Sequence, residues 1–166
     1  MEFSKVIFRY DEGGQRLPEV DRLLQERWGS VMIVSKGKMV DAGLSQRITA
    51  RDSGGKLIGL ATFKVDKENN SCEIVSIDAL VFRAGIGSKL LSEVENEAKK
   101  AGCRKMWLIA LNDNPEAVAF YVKRGYRLIA IHFNALDKSR KLKPQIPLAG
   151  KHGIMLRDEW GFEKPL

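Results

Sequence analysis

Histidine and cysteine are scarce in this 166-residue chain, with two of each, and proline occurs only five times. His132 and His152 stand alone, without metal-ligand spacing, so both read as structural or solvated and no metal is expected. Cys72 and Cys103 lie in apolar, strand-like surroundings and read as buried free thiols rather than a disulfide. Neither has a histidine neighbour in sequence, which argues against a cysteine nucleophile. No apolar run approaches the ~20 residues of a membrane span. The start, Met1 to Val6, lacks a basic segment followed by a long apolar core, so no signal peptide and a cytoplasmic location are expected. Internal repeats and low-complexity segments are also missing.

What is present is ordinary for a globular protein: 44% hydrophobic and 30% charged residues. The length suits one domain, taken as residues 1–166. Lys and Arg number 28 against 21 Asp and Glu, and this net charge of +7 favours a polyanionic ligand. Lys138, Arg140, Lys141 and Lys143 cluster, but no aromatic residues interleave with them. Nucleic acid is therefore not the expected partner, and a phosphate-bearing cofactor explains the sign equally well.

The chain is organised around Val81-Phe82-Arg83-Ala84-Gly85-Ile86-Gly87-Ser88-Lys89-Leu90-Leu91, which reads as strand, glycine loop and helix. Gly85 and Gly87 let a ligand approach the backbone, and the unpaired N–H groups of a first helical turn favour an anion such as pyrophosphate. The Walker pattern fails because Ser88 separates Gly87 from Lys89. The dinucleotide pattern fails because Leu90 stands where its third glycine belongs.

Before this loop, periodicity predicts a strand from Phe3 to Tyr10, then a helix beginning near Pro18 and stopped by Gly29. Trp28 falls on the apolar stripe of that helix and is expected in the core. An apolar run at 31–34 and a Gly- and Lys-containing loop at 35–45 follow. Strands are expected at 46–51, 56–65 and 72–81, forming an antiparallel meander. After the loop, Leu90, Leu91, Val94, Ala98 and Ala101 line one face of a helix, with Glu95 and Lys99 paired across one turn. Lys105 to Leu111 reads as a buried strand parallel to its predecessor. Asn114-Pro115-Glu116 opens another helix, closed by Gly125, and a strand runs from Tyr126 to His132. The tail, 133–166, carries a basic helix, a Pro-containing loop and a last apolar segment.

The R-A-G-I-G-S loop and the helix N-P-E-A-V-A-F-Y-V-K-R-G-Y, with the strands around them, resemble the GCN5-related N-acetyltransferases, most closely over residues 73–131. The resemblance implies an α/β (mixed α+β) fold whose mostly antiparallel sheet contains a splayed parallel strand pair, flanked by helices. It implies transfer of acetyl from acetyl-CoA to a primary amine by direct attack. Tyr121 would be the general acid, and Glu73 or Asp78 the base, with Glu73 preferred. A regular strand would turn those two carboxylates to opposite faces unless a bulge intervenes. Backbone groups of Ala79, Leu80 and Val81 would hold the thioester carbonyl, while Arg83, Ala84, Gly85, Ile86, Gly87, Ser88 and Lys89 would bind the pyrophosphate. Asn114 and Tyr121 would complete the coenzyme site. Phe82 stands where relatives carry Arg or Gln, and the loop is shortened and lacks their proline. The acceptor would be a small-molecule or peptide amine, and a homodimer fits relatives of this kind. The competing reading is a non-catalytic module that senses acyl-CoA or binds nucleic acid through the basic tail.

Overall fold

The computed structural model describes residues 5–82 and 84–166, so the expected strand start at Phe3 and the loop residue Arg83 lie outside the described residues. The chain runs β1 (Ile7–Asp11), α1 (Pro18–Trp28), β2 (Met32–Ser35), β3 (Lys38–Asp41), β4 (Gln46–Arg51), β5 (Leu57–Asp66) and β6 (Ser71–Ala79). It continues through α2 (Ile86–Lys100), β7 (Lys105–Leu111), α3 (Pro115–Val122), β8 (Arg127–His132), α4 (Ala135–Leu142) and β9 (Glu159–Pro165). Seven strands form one mixed sheet in the order β1-β4-β5-β6-β7-β9-β8, and β2 and β3 form a separate hairpin.

β1, β4, β5 and β6 pair antiparallel, and β6 pairs in parallel with β7. The tail strand β9 inserts antiparallel between β7 and β8, which leaves β8 at the edge. Residues 35–45, expected as a loop, contain the second half of the β2–β3 hairpin. Lys36 and Gly37 both have positive φ (48° and 73°), as a two-residue primed turn requires, but Lys-Gly lacks the Asn or Asp that usually announces one.

Two apolar layers cover the sheet. On one face, Ile86, Leu90, Leu91 and Val94 of α2 pack with Cys72, Ile74, Met106 and Leu108. The helix comes so close that a Cβ on Gly59 of β5 would stand 2.8 Å from the Ile86 side chain. On the other face, Val20, Leu23 and Leu24 of α1 bury against Ile33, Leu57, Leu60 and Val75. Each such side chain contributes roughly 1.5–3 kcal/mol by leaving water. Gly29 at φ 75° ends α1 and donates its N–H to the Gln25 carbonyl at 3.0 Å. Glu95 does not pair with Lys99. It binds Lys164 of β9 and the Tyr126 hydroxyl, each at 3.0 Å, because β9 brings a cation to that side of α2.

Candidate active site

The site is organised by two irregularities of β6. The first is where it parts from β7: the register runs from Ser71↔Lys105 to Ile74↔Leu108 and stops, although both strands continue. Toward β5 the remaining length of β6 stays paired, and Leu80 donates its N–H to the Ile58 carbonyl at 2.8 Å. By the alternation of an antiparallel ladder, the N–H and C=O of Ala79 then point away from β5, into the gap. The Leu80 N–H is committed to the sheet.

The second irregularity is a bulge. Phe63 of β5 faces Ile74 while Thr62 faces Ser76, so Val75 is an extra residue. Before the bulge, Cys72 and Ile74 face α2; beyond it, Ile77 and Ala79 pack on that same side. Glu73, Val75 and Asp78 consequently share the α1 face, which corrects the opposite-face arrangement of a regular strand.

Asp78 accepts a hydrogen bond from Trp28 Nε1 at 2.8 Å. Trp28 is 39% exposed, so it belongs to the cleft rather than the core. Asp78 keeps part of its surface open, yet protein walls it closely enough that desolvation outweighs the Trp28 bond and raises its pKa. Glu73 is buried, and desolvation raises its pKa too, opposed by Ser35, Lys64 and Lys36 and reinforced by the Glu159 carboxylate. Tyr121 is buried edge-on against Phe120 and Tyr126, with ring centroids 5.1 and 5.4 Å away. Its pKa rises, first through desolvation and then through nearby Asp78, so the phenol holds its proton. Burial pushes the Cys72 thiol up to about 12, which makes it inert as a nucleophile.

At the head of α2, Gly85 adopts φ 70° as the cap residue, no side chain caps the helix among the described residues, and its first turn carries no acidic residue. Its N–H groups therefore face outward with the dipole undiminished. Arg124, which the sequence reading did not single out, reaches this spot: its Nε donates to Ser88 Oγ at 3.1 Å, Nη1 to the Phe120 carbonyl at 2.7 Å, and its guanidinium lies 3.7 Å over the Phe120 ring. A Cβ on Gly87 would touch that same ring at 3.4 Å, so Gly87 admits α3 as well as a ligand. Ala84 packs on the core, Ile86 is buried in it, and Lys89 pairs with Glu93 at 2.6 Å. Asn114 accepts from the Ala117 N–H at 3.1 Å and so caps α3. Val81 packs beside the core.

On the α1 face, a cavity of about 270 Å³ opens beside the parted strands. Val75, Ile109 and Leu111 form its sheet wall; Trp28, Ile33, Leu136, Ile146, Pro147 and Leu156 close the other sides. Its polar side chains include Glu73, Glu159, Ser35, Ser139, Lys143 and Gln145. Lys143 is buried, donates to the Met32 carbonyl at 2.8 Å, and has its pKa lowered by desolvation. Glu159, 2% exposed, accepts from the Lys36 N–H at 3.2 Å. Sequence reading missed Glu159; the signal was a charge alternating with Trp160 and Phe162 in a strand pattern. Among the described residues no group of His, Cys, Asp and Glu is arranged to hold a metal, and no helix is long and apolar enough to cross a membrane.

Similarity to other proteins agrees with this geometry. Residues 18–126 match the acetyltransferase (GNAT) family. Over 139 residues the chain is 39% identical to the uncharacterized protein YdhI of Bacillus subtilis (strain 168), covering 84% of this chain and 86% of that one. Its fold is similar to the IAA acetyltransferase from Bacillus cereus ATCC 14579, with TM-score 0.75 and 22% identity over 97% of this chain and 99% of that one. It is also similar to a Bacillus subtilis acetyltransferase in complex with CoA, with TM-score 0.73 and 24% identity over 96% and 99% of the two chains. The family match across residues 18–126 and the 39% identity over most of both chains establish that this chain belongs to the acetyltransferase (GNAT) family.

Proposed function

We propose that this protein transfers acetyl from acetyl-CoA to a primary amine by direct attack, without an acyl-enzyme. The observation that carries the reading is the parting of β6 from β7 beyond Ile74↔Leu108, with an apolar, carboxylate-bearing cavity on one side and Tyr121 within electrostatic reach of Asp78. The uncapped first turn of α2 suits the pyrophosphate, and Arg124 adds a cation there. The free edge of β6 at Ala79 suits the amides of the pantetheine arm.

The residues divide the work. Glu73, its pKa raised by burial, takes a proton from the ammonium to free the nitrogen lone pair. Asp78 lies nearer the gap and holds Trp28 across the cleft mouth. As the N–C bond forms, the carbonyl oxygen gains charge, and the Ala79 N–H points toward where it develops. When the C–S bond breaks, Tyr121 donates its proton to the departing sulfur; the second proton leaves the acylated nitrogen to solvent, from which Tyr121 recovers one.

Calorimetric titration with acetyl-CoA, with ATP and NAD as controls, tests the coenzyme site; thiol release tests transfer. Tyr121→Phe is expected to bind acetyl-CoA normally while kcat falls about 10²–10⁴-fold, the range for loss of a general acid. Absence of acetyl-CoA binding would sink the reading and turn attention to the basic tail.

A further inference from the structure

The α1-face cavity holds a group whose bonding is incomplete. Ser35 Oγ is a buried side-chain polar atom without a hydrogen-bond partner among the described residues, in a residue 8% exposed. It lies close enough to Glu73 to favour the charged carboxylate, yet outside hydrogen-bond geometry. An unsatisfied buried hydroxyl costs about 1–3 kcal/mol, and it lines the same cavity as Glu73 and Glu159. Ser35 and the Lys36 N–H that Glu159 accepts are adjacent in the chain, so the β2–β3 turn ties the hydroxyl to the second carboxylate.

We propose that Ser35, Glu73 and Glu159 form a three-acceptor seat for a primary ammonium, and that the acceptor substrate is a compact monoamine with an apolar body. The inference rests on the acetyl-transfer reading and deepens it. A primary ammonium presents three N–H donors, one for each of the three groups, whereas N-methylation removes a donor and adds bulk. The cavity lining holds two carboxylates against one ammonium, Lys143, whose Nζ is turned away to the Met32 carbonyl; Lys36 and Lys64 act on Glu73 from outside the lining. Beyond the seat the walls are mainly apolar, with Ser139, Lys143 and Gln145 as the further polar side chains, and a volume of about 270 Å³ sits at the small end of ligand pockets. A polycationic aminoglycoside or polyamine would strand charges against Ile109, Leu136 and Pro147. Lys36 already shows the chemistry nearby, its ammonium lying 4.1 Å over the Trp107 ring with its field on Glu73.

The test is calorimetric titration of phenethylamine, its N,N-dimethyl form, spermidine and kanamycin into the protein, with and without coenzyme A. Phenethylamine is expected to bind saturably and more tightly than the other three. Glu159→Gln retains an acceptor for the Lys36 N–H but removes the charge, and should weaken phenethylamine about 10- to 100-fold. In turnover this should raise the amine KM with little change in kcat or in the acetyl-CoA KM, while Glu159→Asp recovers part of the affinity. Ser35→Ala separates a seat from a structural role: it should leave Tm unchanged or higher while weakening the amine about ten-fold. Tighter binding of spermidine or kanamycin, indifference to N-methylation, unchanged affinity in both variants, or no saturable phenethylamine binding in either condition each overturns the proposal. Acetyl-CoA titration of the same samples reports separately on the transferase reading.

Discussion

The two faces of the β6–β7 pair are built by opposite rules. The face toward α2 is apolar and closed: Cys72, Ile74, Met106, Leu108 and Ala110 are buried against Leu90, Leu91 and Val94. The face toward α1 and α4 carries Glu73 and Asp78 and borders a cavity. One face fills space at the density of a protein interior; the other leaves a volume unfilled and burdens it with desolvated acids. The difference arises from one inserted residue. Without the Val75 bulge, alternation would send Asp78 into the α2 layer and Ile77 into the cleft.

Inserting one residue into β5 between Thr62 and Phe63, which gives Val75 a partner and makes β6 a regular strand, is therefore the change that breaks the comparison outright. Turning Asp78 into the packed layer strands a carboxylate there, at a cost of about 3–5 kcal/mol. The urea midpoint should fall accordingly, and acetyl transfer should disappear even in molecules that remain folded. An insertion variant with near-native stability and activity would show that the shared face of the two carboxylates is incidental.

The α2 face was largely legible in the sequence, because its signals are local. Pro18, Gly29, Pro115 and Gly125 mark helix ends, α2 repeats its apolar residues at helical spacing, and the run Lys105–Leu111 is a strand to the residue. The other face depends on register and on distant segments. A bulge is a mismatch between β5 and β6 and leaves no mark in either alone. β9 enters the middle of the sheet from the far end of the chain, carrying Glu159 to the cavity beside Glu73. The turn Lys36-Gly37 hides a hairpin behind an ordinary lysine, and with it the position of Ser35. Glu73, Asp78 and Tyr121 were reachable as candidates only through a family resemblance.

A smaller effect sharpens the comparison at the loop end. Arg124 bridges α3 to the head of α2 through Ser88, and no carboxylate neutralises it among the described salt bridges. A cation beside a positive helix end suits an incoming phosphate oxygen. Arg124→Ala should raise the acetyl-CoA KM about ten-fold and leave the amine KM unchanged, as steady-state kinetics with each substrate varied in turn would show. An equal rise in both would place Arg124 in the packing of α3 instead.

The smallest effect is one of stability, and its sign is opposite to that on activity. Burial raises the Glu73 pKa, so the folded state binds the Glu73 proton more tightly than the unfolded chain does. The stability that goes with this proton is fully present below the unfolded glutamate value of about 4.3, and it is lost as pH rises through the higher folded value. At neutral pH the charged carboxylate is thus a burden on the fold. Glu73→Gln removes it and should raise Tm at pH 7, by roughly 2–4 °C for each kcal/mol gained in a chain of this size, while kcat/KM falls. Below the unfolded glutamate value the protonated Glu73 and glutamine are both neutral, so the two melting temperatures should converge. A Tm difference that persists into acid would mean that packing, not charge, separates the variants. A lower Tm at neutral pH would mean that Lys64 and Lys36 outweigh desolvation and that Glu73 stabilises the face it sits on.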